Sequence, residues 1–345
     1  MSTLTERIDA SIGVRGSGLE EVLFGTAEPD AVAAILEEFL AAHLAPVAST
    51  RHYSASVGTV AIVELADGTH AVLKVHRWNT SLARLIAVQH VQVHARERGI
   101  PAPRPLLEPT PLLGGVATVE EFLPGEIWSG RDADVRAKLA SELHRIVDAT
   151  RPLVGVVDVG LAEPVLDTGD ALWGEPHDVR FDFDASSAGA EWIDELARAA
   201  RNRLAGADEP LVIGHCDWRV EHVGFDGDRV AAIYDWDSLA LVSEPVLVGK
   251  AAAQFSINWR LHDVGRDVEF PTIDDMHAFV RDYEMARGAR FTESQRELLD
   301  AANLALMCYG ARCQHSLLVS DPAVTAPEDQ WWLGALRVRP ERVFT

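Results

Sequence analysis

Residues 211–237 read LVIGHCDWRVEHVGFDGDRVAAIYDWD, and the rest of the chain is organised around them. Two apolar, β-branched runs, 211–213 and 230–234, lead into His215-Cys216-Asp217 and Asp235-Trp236-Asp237, polar groups that strands bury badly. Between the runs, Val223-Gly224-Phe225 and the turn Asp226-Gly227-Asp228 signal a hairpin, because Asp-Gly supplies the positive φ of a tight connection. A compact β-loop-β-turn-β unit is therefore expected to bring Asp217, His222 and Asp235 together.

Working outward, residues 28–43 have helical spacing, with Asp30 near the start. Strands are predicted over 53–57, 60–65 and 70–76, the last two joined by Asp67-Gly68. Lys74 lies in the third strand, either as an edge residue turned to water or as a cation with a buried anionic partner. Residues 80–98 form a helix ended by Gly99 and the extended Pro101-Ala102-Pro103. Further strands are expected at Leu106-Leu107 and 115–122, and Leu123-Pro124-Gly125 breaks the chain as a hinge. Beyond residue 131 the pattern turns helical, at 132–148, 188–204, 245–258, 273–287, 294–318 and 329–336. A β-rich part followed by a helical part with one embedded hairpin is an α+β architecture with a cleft between two lobes. Trp173, Trp192, Trp259, Trp331 and Trp332 are expected to serve helix packing.

The 345 residues suffice for two lobes with separate cores. A formal charge of −22 argues against nucleic acid as a partner, since no basic stripe is present to displace counterions from phosphates. No apolar run is long enough to cross a bilayer and no secretory signal is visible, so a cytoplasmic protein without a membrane partner is expected. Three scattered cysteines fit reduced thiols, Cys216 being a small filler rather than a nucleophile.

Phosphoryl transfer needs a carboxylate to orient or deprotonate the attacking hydroxyl, and oxygen or nitrogen ligands for a divalent cation on the phosphates. Asp217, His222 and Asp235 supply those groups, and a strand lysine could neutralise the phosphates. The run His215-x-Asp217-x-x-x-x-His222, with Asp235-Trp236-Asp237 following, resembles the catalytic and metal loops of the aminoglycoside phosphotransferase-like kinase family, usually H-G-D-x-x-x-x-N and D-W-D or D-F-D. Leu73-Lys74-Val75 looks like that family's nucleotide lysine. Gly99 to Pro103 looks like its G-V-P-V-P element, and Glu121-Phe122-Leu123-Pro124-Gly125 like its E-Y-L-P-G hinge.

The resemblance implies a two-lobed protein-kinase-like fold: a helical extension at 1–50, a nucleotide-binding N-lobe at 51–123 and a helical C-lobe at 124–345. It implies Asp217 as catalytic aspartate and His215 as a loop-structuring residue. Asp235 and His222 would bind Mg²⁺, with Mn²⁺ as the alternative. Lys74 would meet the α- and β-phosphates of ATP or GTP, the backbone of Glu121 and Leu123 would hold the purine, and Gly58 belongs to the loop covering the nucleotide. The implied activity is phosphorylation of a hydroxyl on an antibiotic-like or amino-sugar-like acceptor, by a monomer or dimer. Choline- or homoserine-type metabolites are the alternative acceptors, and a nucleotide-binding module without catalysis is the alternative role. Asp237, Glu244, Asp263 and Glu284 would favour a cationic acceptor.

The chain departs from the family pattern in three places. His222 replaces the usual asparagine, as in macrolide phosphotransferases, a similar branch; imidazole suits softer metals than Mg²⁺. The helix glutamate that pairs with the lysine falls at about Gln89, which accepts a hydrogen bond but cannot neutralise Lys74. Arg219, in Asp217-Trp218-Arg219-Val220-Glu221, either stabilises transferring phosphate charge or pairs with Glu221; its neighbour favours the second.

Overall fold

The computed structural model describes residues 2–16, 18–77, 80–161, 171–178, 180–206, 208–263, 265–320 and 330–344. The chain divides into two compact units. The first comprises residues 1–97 and 102–124, the second residues 98–101 and 125–345.

In the first unit, α1 (Leu4–Arg15) starts on a capping box in which the Thr3 side chain and Glu6 exchange bonds with each other's backbone. Helices α2 (Gly18–Phe24) and α3 (Pro29–His43) follow. They lead into β1 (Val47–Ala55), β2 (Thr59–Leu65) and β3 (His70–His76), then α4 (Leu82–Glu97), β4 (Pro105–Leu112) and β5 (Gly115–Glu121). The strands form one antiparallel sheet in the order β1-β2-β3-β5-β4. The predicted Asp67-Gly68 turn is present, with Gly68 at φ 87 and the Thr69 N–H donating to Asp67 Oδ1. Alternation along β2 sends Ala61, Val63 and Leu65 into a core shared with Leu4 and Ile8 of α1 and Leu36 and Leu40 of α3. The N-terminal helices and the sheet thus bury one common apolar surface.

The second unit opens with α5 (Ala133–Thr150), capped by Asp132, and α6 (Glu191–Leu204). Next come β6 (Leu211–His215), the hairpin β7 (Val223–Asp226) and β8 (Arg229–Ile233), and β9 (Leu239–Ser243). Helices α7 (Glu244–Gln254), α8 (Arg260–Asp263), α9 (Ile273–Arg287), α10 (Glu293–Ser320) and α11 (Trp331–Val338) complete it. The sequence reading did not include β9. Its pairing with β6 is antiparallel, Ile213 opposite Leu241, so β6 finds its partner beyond the opening stretch and only the β7–β8 ladder lies within it. The tryptophans pack as expected: Trp173 donates to Asp194, and Trp259 meets Trp331 edge-to-face.

Backbone contact fixes the segment that starts at Gly125. Glu126 and Phe225 exchange both backbone hydrogen bonds at 2.8 Å, and a Cβ at Gly125 would lie 2.6 Å from the Gly224 Cα. Only glycine permits that approach.

Glu20 of α2 is 1% exposed; Oε1 accepts the Tyr53 hydroxyl at 3.1 Å, and Oε2 has no hydrogen-bond partner among the described residues. Burial raises its pKa, and the Tyr53 bond only partly opposes this. The folded state therefore holds the Glu20 proton more tightly than the unfolded chain does. That contribution to stability is complete in acid and is lost as pH rises beyond the ordinary glutamate range. Glu20→Gln, neutral at every pH, is expected to be no less stable than wild type at neutral pH and to flatten this decline. Thermal melts across the acid-to-neutral range measure both, and a variant that melts lower at neutral pH would contradict the assignment.

Candidate active site

Two tryptophans anchor the loops that carry the acidic residues. Trp218, fully buried, donates its indole N–H to the Leu139 carbonyl of α5 at 3.1 Å, and Trp236, 1% exposed, donates to the Ile233 carbonyl at 2.8 Å. The Val220 N–H reaches the Phe255 carbonyl at 2.8 Å, and Gln254 donates to the Cys216 carbonyl at 3.3 Å. The end of α7 therefore holds the loop after β6 from beneath.

His215 lies under that loop with no exposure. Burial lowers its pKa, so the ring is neutral. Its Nε2–H donates to the Tyr234 carbonyl at 2.9 Å, while Nδ1 lies 3.0 Å from the Ser238 hydroxyl oxygen, whose own proton goes to the Asp235 carbonyl at 2.8 Å. This brace ties the end of β6 to the segment carrying Asp235 and leaves neither ring nitrogen for substrate. Asp235 has φ 64 and ψ 42, left-handed values uncommon for a side-chain-bearing residue. Such strain clusters where a side chain must be aimed.

Asp217, His222 and Asp235 offer one ligand atom each, all within 4.8 Å of one another. The tautomer of His222 follows from its partners. Nδ1 lies 2.8 Å from the Asp217 carbonyl, which only accepts, so Nδ1 carries the proton. Nε2 lies 3.3 Å from an Arg219 N–H, which only donates, so Nε2 presents its lone pair. Two carboxylates and one imidazole lone pair form a donor set that fits a divalent cation. Asp217 has 35% of its side chain exposed and His222 12%.

Arg219 does more than pair with Glu221. Its Nε lies 3.1 Å from Glu221 Oε1, and its Nη2 lies 2.8 Å from Asp217 Oδ2. Burial opposes its charge, but Asp217, Glu221 and Asp235 together outweigh burial and raise its pKa. Glu221 is itself fixed by the Trp259 backbone N–H at 2.6 Å.

The remaining sequence candidates belong to the first unit. Lys74 is opposite Val60 of β2 and Thr118 of β5, so β3 is an interior strand and Lys74 is not an edge residue; its side chain is half-buried. Gln89 donates its amide to the Leu107 carbonyl at 2.8 Å, fastening α4 to β4. The Glu121 carboxylate takes Arg96 at 2.9 Å and the Arg104 N–H at 2.8 Å, and Leu123 lies just beyond β5. Gly58, between β1 and β2, sits where a Cβ would lie 2.5 Å from the Val75 carbonyl oxygen.

Two of the acids proposed for a cationic acceptor are already neutralised. Glu244 accepts from Tyr283 at 2.8 Å and pairs with Arg287 at 3.2 Å, while the buried Glu284 pairs with Arg296 and accepts the Phe291 N–H. Asp237 is half-buried, and the side chain of Asp263 lies outside the described residues. Sequence reading missed Ser238 and Gln254 as supports of the loops; the buried tryptophans beside the acids were the available signal. All three cysteines are free thiols, and burial pushes Cys308 up to about 12, which leaves it unreactive.

The model of a family described as "Phosphotransferase enzyme family" (APH) matches residues 54–241, more than half of the chain. The chain belongs to this family. It is accordingly a phosphotransferase acting on hydroxyl groups. Among solved structures it is similar to amicoumacin kinase in complex with AMP-PNP, Ca²⁺ and Ami, at 11% identity, covering 88% of this chain and 91% of that chain, with a TM-score of 0.60. It is similar to a spectinomycin phosphotransferase in complex with ADP and spectinomycin, at 11% identity, 90% and 95% coverage and a TM-score of 0.55. A thermostable mutant of the aminoglycoside phosphotransferase APH(4)-Ia aligns at 15% identity, 87% and 97% coverage and a TM-score of 0.51. These likenesses give a protein-kinase-like fold, with a sheet-containing N-terminal unit and a helical C-terminal unit. No curated protein matches the chain by sequence. No described helix is long and apolar enough to cross a membrane.

His215→Ala removes the brace and leaves the Tyr234 carbonyl without its donor. The expected cost is about 2–4 kcal/mol of stability, measured by urea unfolding, with weaker Mn²⁺ binding in the folded variant.

Proposed function

We propose that this phosphotransferase is a small-molecule kinase that moves the γ-phosphate of ATP or GTP to a hydroxyl of an antibiotic-like or amino-sugar-like acceptor. The observation that carries the reading is the convergence of Asp217, His222 and Asp235 within 4.8 Å, on loops held by buried side chains. Family membership gives the reaction class, and the relatives solved with AMP-PNP or ADP and an antibiotic motivate the donor and acceptor.

His222 Nε2 and an Asp235 oxygen would hold the divalent cation, Mg²⁺ or Mn²⁺, with Asp217 beside it. When bound, the ion supplies charge neutralisation of the nucleotide phosphates. Asp217, with 35% of its side chain exposed, orients the acceptor hydroxyl and takes its proton at a carboxylate oxygen. Lys74 would neutralise the α- and β-phosphates, and backbone groups of Glu121 and Leu123 would hold the purine beneath the loop containing Gly58. The arginine pairing of Glu244 and Glu284 favours an acceptor recognised by shape and hydroxyl groups over one selected by positive charge.

An acceptor screen with ATP and GTP tests the reading: phosphorylated product should form from a hydroxyl-bearing natural product or amino sugar. Nucleotide binding without product across the panel would instead favour a non-catalytic module. Asp217→Ala is expected to lower transfer by at least about a thousandfold while nucleotide affinity stays within a few-fold; retained turnover would remove Asp217 from the role of base. Asp235→Ala should lose metal-dependent nucleotide binding, read by calorimetry with and without the cation. His222→Asn should keep activity and shift the preference from Mn²⁺ toward Mg²⁺, and an inert variant would show that His222 has a role other than ligation.

A further inference from the structure

The Arg219 guanidinium lies among the atoms that would hold the metal. Its Nη2 touches one of the two proposed ligands and the acid beside them, at 3.3 Å from His222 Nε2 and 2.8 Å from Asp217 Oδ2. The single lone pair of His222 Nε2 cannot serve a guanidinium N–H and a divalent cation at once, whereas the Asp217 carboxylate keeps further lone pairs. An incoming ion therefore meets competition for the imidazole and direct charge repulsion from the guanidinium.

The surroundings provide an alternative seat for the arginine. Glu221 is 6% exposed, its Oε2 is held by the Trp259 N–H at 2.6 Å, and its Oε1 faces Arg219 Nε at 3.1 Å. The 3.1 Å contact is an ion pair without hydrogen-bond geometry, so the guanidinium can turn further toward Glu221 and withdraw Nη2 from Asp217 and His222. With Arg219 and Glu221 neutralising each other, Asp217 and Asp235 carry the two negative charges that one divalent ion requires.

Building on the metal assignment made above, we propose that Arg219 is a built-in competitor for the divalent cation: it satisfies the ligands while the metal is absent and turns away when the metal enters. Metal arriving alone must displace the arginine. Metal arriving with nucleotide brings phosphates that give the displaced guanidinium a new anionic partner. The cation and the nucleotide therefore bind with positive coupling, and this protein takes up free metal less readily than its ligand set alone would dictate.

The test uses the full-length protein and Mn²⁺, whose binding is read by the electron paramagnetic resonance signal of the free ion, with thermal melts as the control for folding. Arg219→Met and Arg219→Gln, two variants that remove the charge by different side chains, should each bind Mn²⁺ in the absence of nucleotide about tenfold more tightly than wild type. The coupling between Mn²⁺ and a non-hydrolysable ATP analogue, present in wild type, should shrink in both. Equal or weaker Mn²⁺ affinity in folded variants would overturn the competitor role while leaving the metal site standing. Failure of all three proteins to bind Mn²⁺, even with the ATP analogue, would overturn the metal assignment together with the competitor role.

Discussion

Two carboxylates and an imidazole lone pair held within 4.8 Å repel one another, and the local structure has to resist that repulsion. Two unit charges at such a distance cost about 3–4 kcal/mol at an effective dielectric near 20, before solvent screening. That is comparable to a substantial fraction of a domain's net stability, so the acids need anchors and a cation. The anchors are buried: Trp218 on α5, Trp236 on Ile233, and His215 between Tyr234 and Ser238. The resident cation is Arg219, itself held by Glu221. Left-handed Asp235 shows the same constraint in the backbone.

Much of this arrangement was legible in the sequence. The strands and helices announced themselves through alternation, Gly and Pro punctuation and capping residues, and the Asp217, His222 and Asp235 cluster followed from polar residues at strand ends. Much of what escaped was non-local. Leu239–Ser243 makes a strand only because β6 lies beside it, and nothing in those five residues calls for that partner. Lys74 was ambiguous because a strand's own periodicity does not say whether it is an edge, whereas the sheet order makes β3 interior. Glu244 and Glu284 looked available for a substrate because Arg287 and Arg296 meet them only after α9 and α10 have packed.

Arg219 illustrates how one local sequence can allow two roles until distances separate them. Its neighbour Glu221 suggested a simple local pair; Glu221 is buried, and the guanidinium also reaches Asp217 and His222. The difference lies in Trp259, whose backbone N–H fixes Glu221 from a segment 38 residues further along. A loop residue acquires its electrostatic surroundings from the helical unit as a whole.

The contact between Gly125 and Gly224 has a further consequence for how this chain can change. A misfit between two packed side chains is usually relieved when one grows and the other shrinks, so that neighbouring positions drift together. Here neither residue has a side chain to give up, and a Cβ on Gly224 would also meet the Tyr234 hydroxyl at 2.7 Å. At Gly125 the obstacle is backbone and cannot move aside, whereas at Gly224 the short contact is the tip of the Tyr234 side chain. The close approach is therefore dictated mainly from the Gly125 side, and the hairpin leading to Asp235 is held where that backbone meets it.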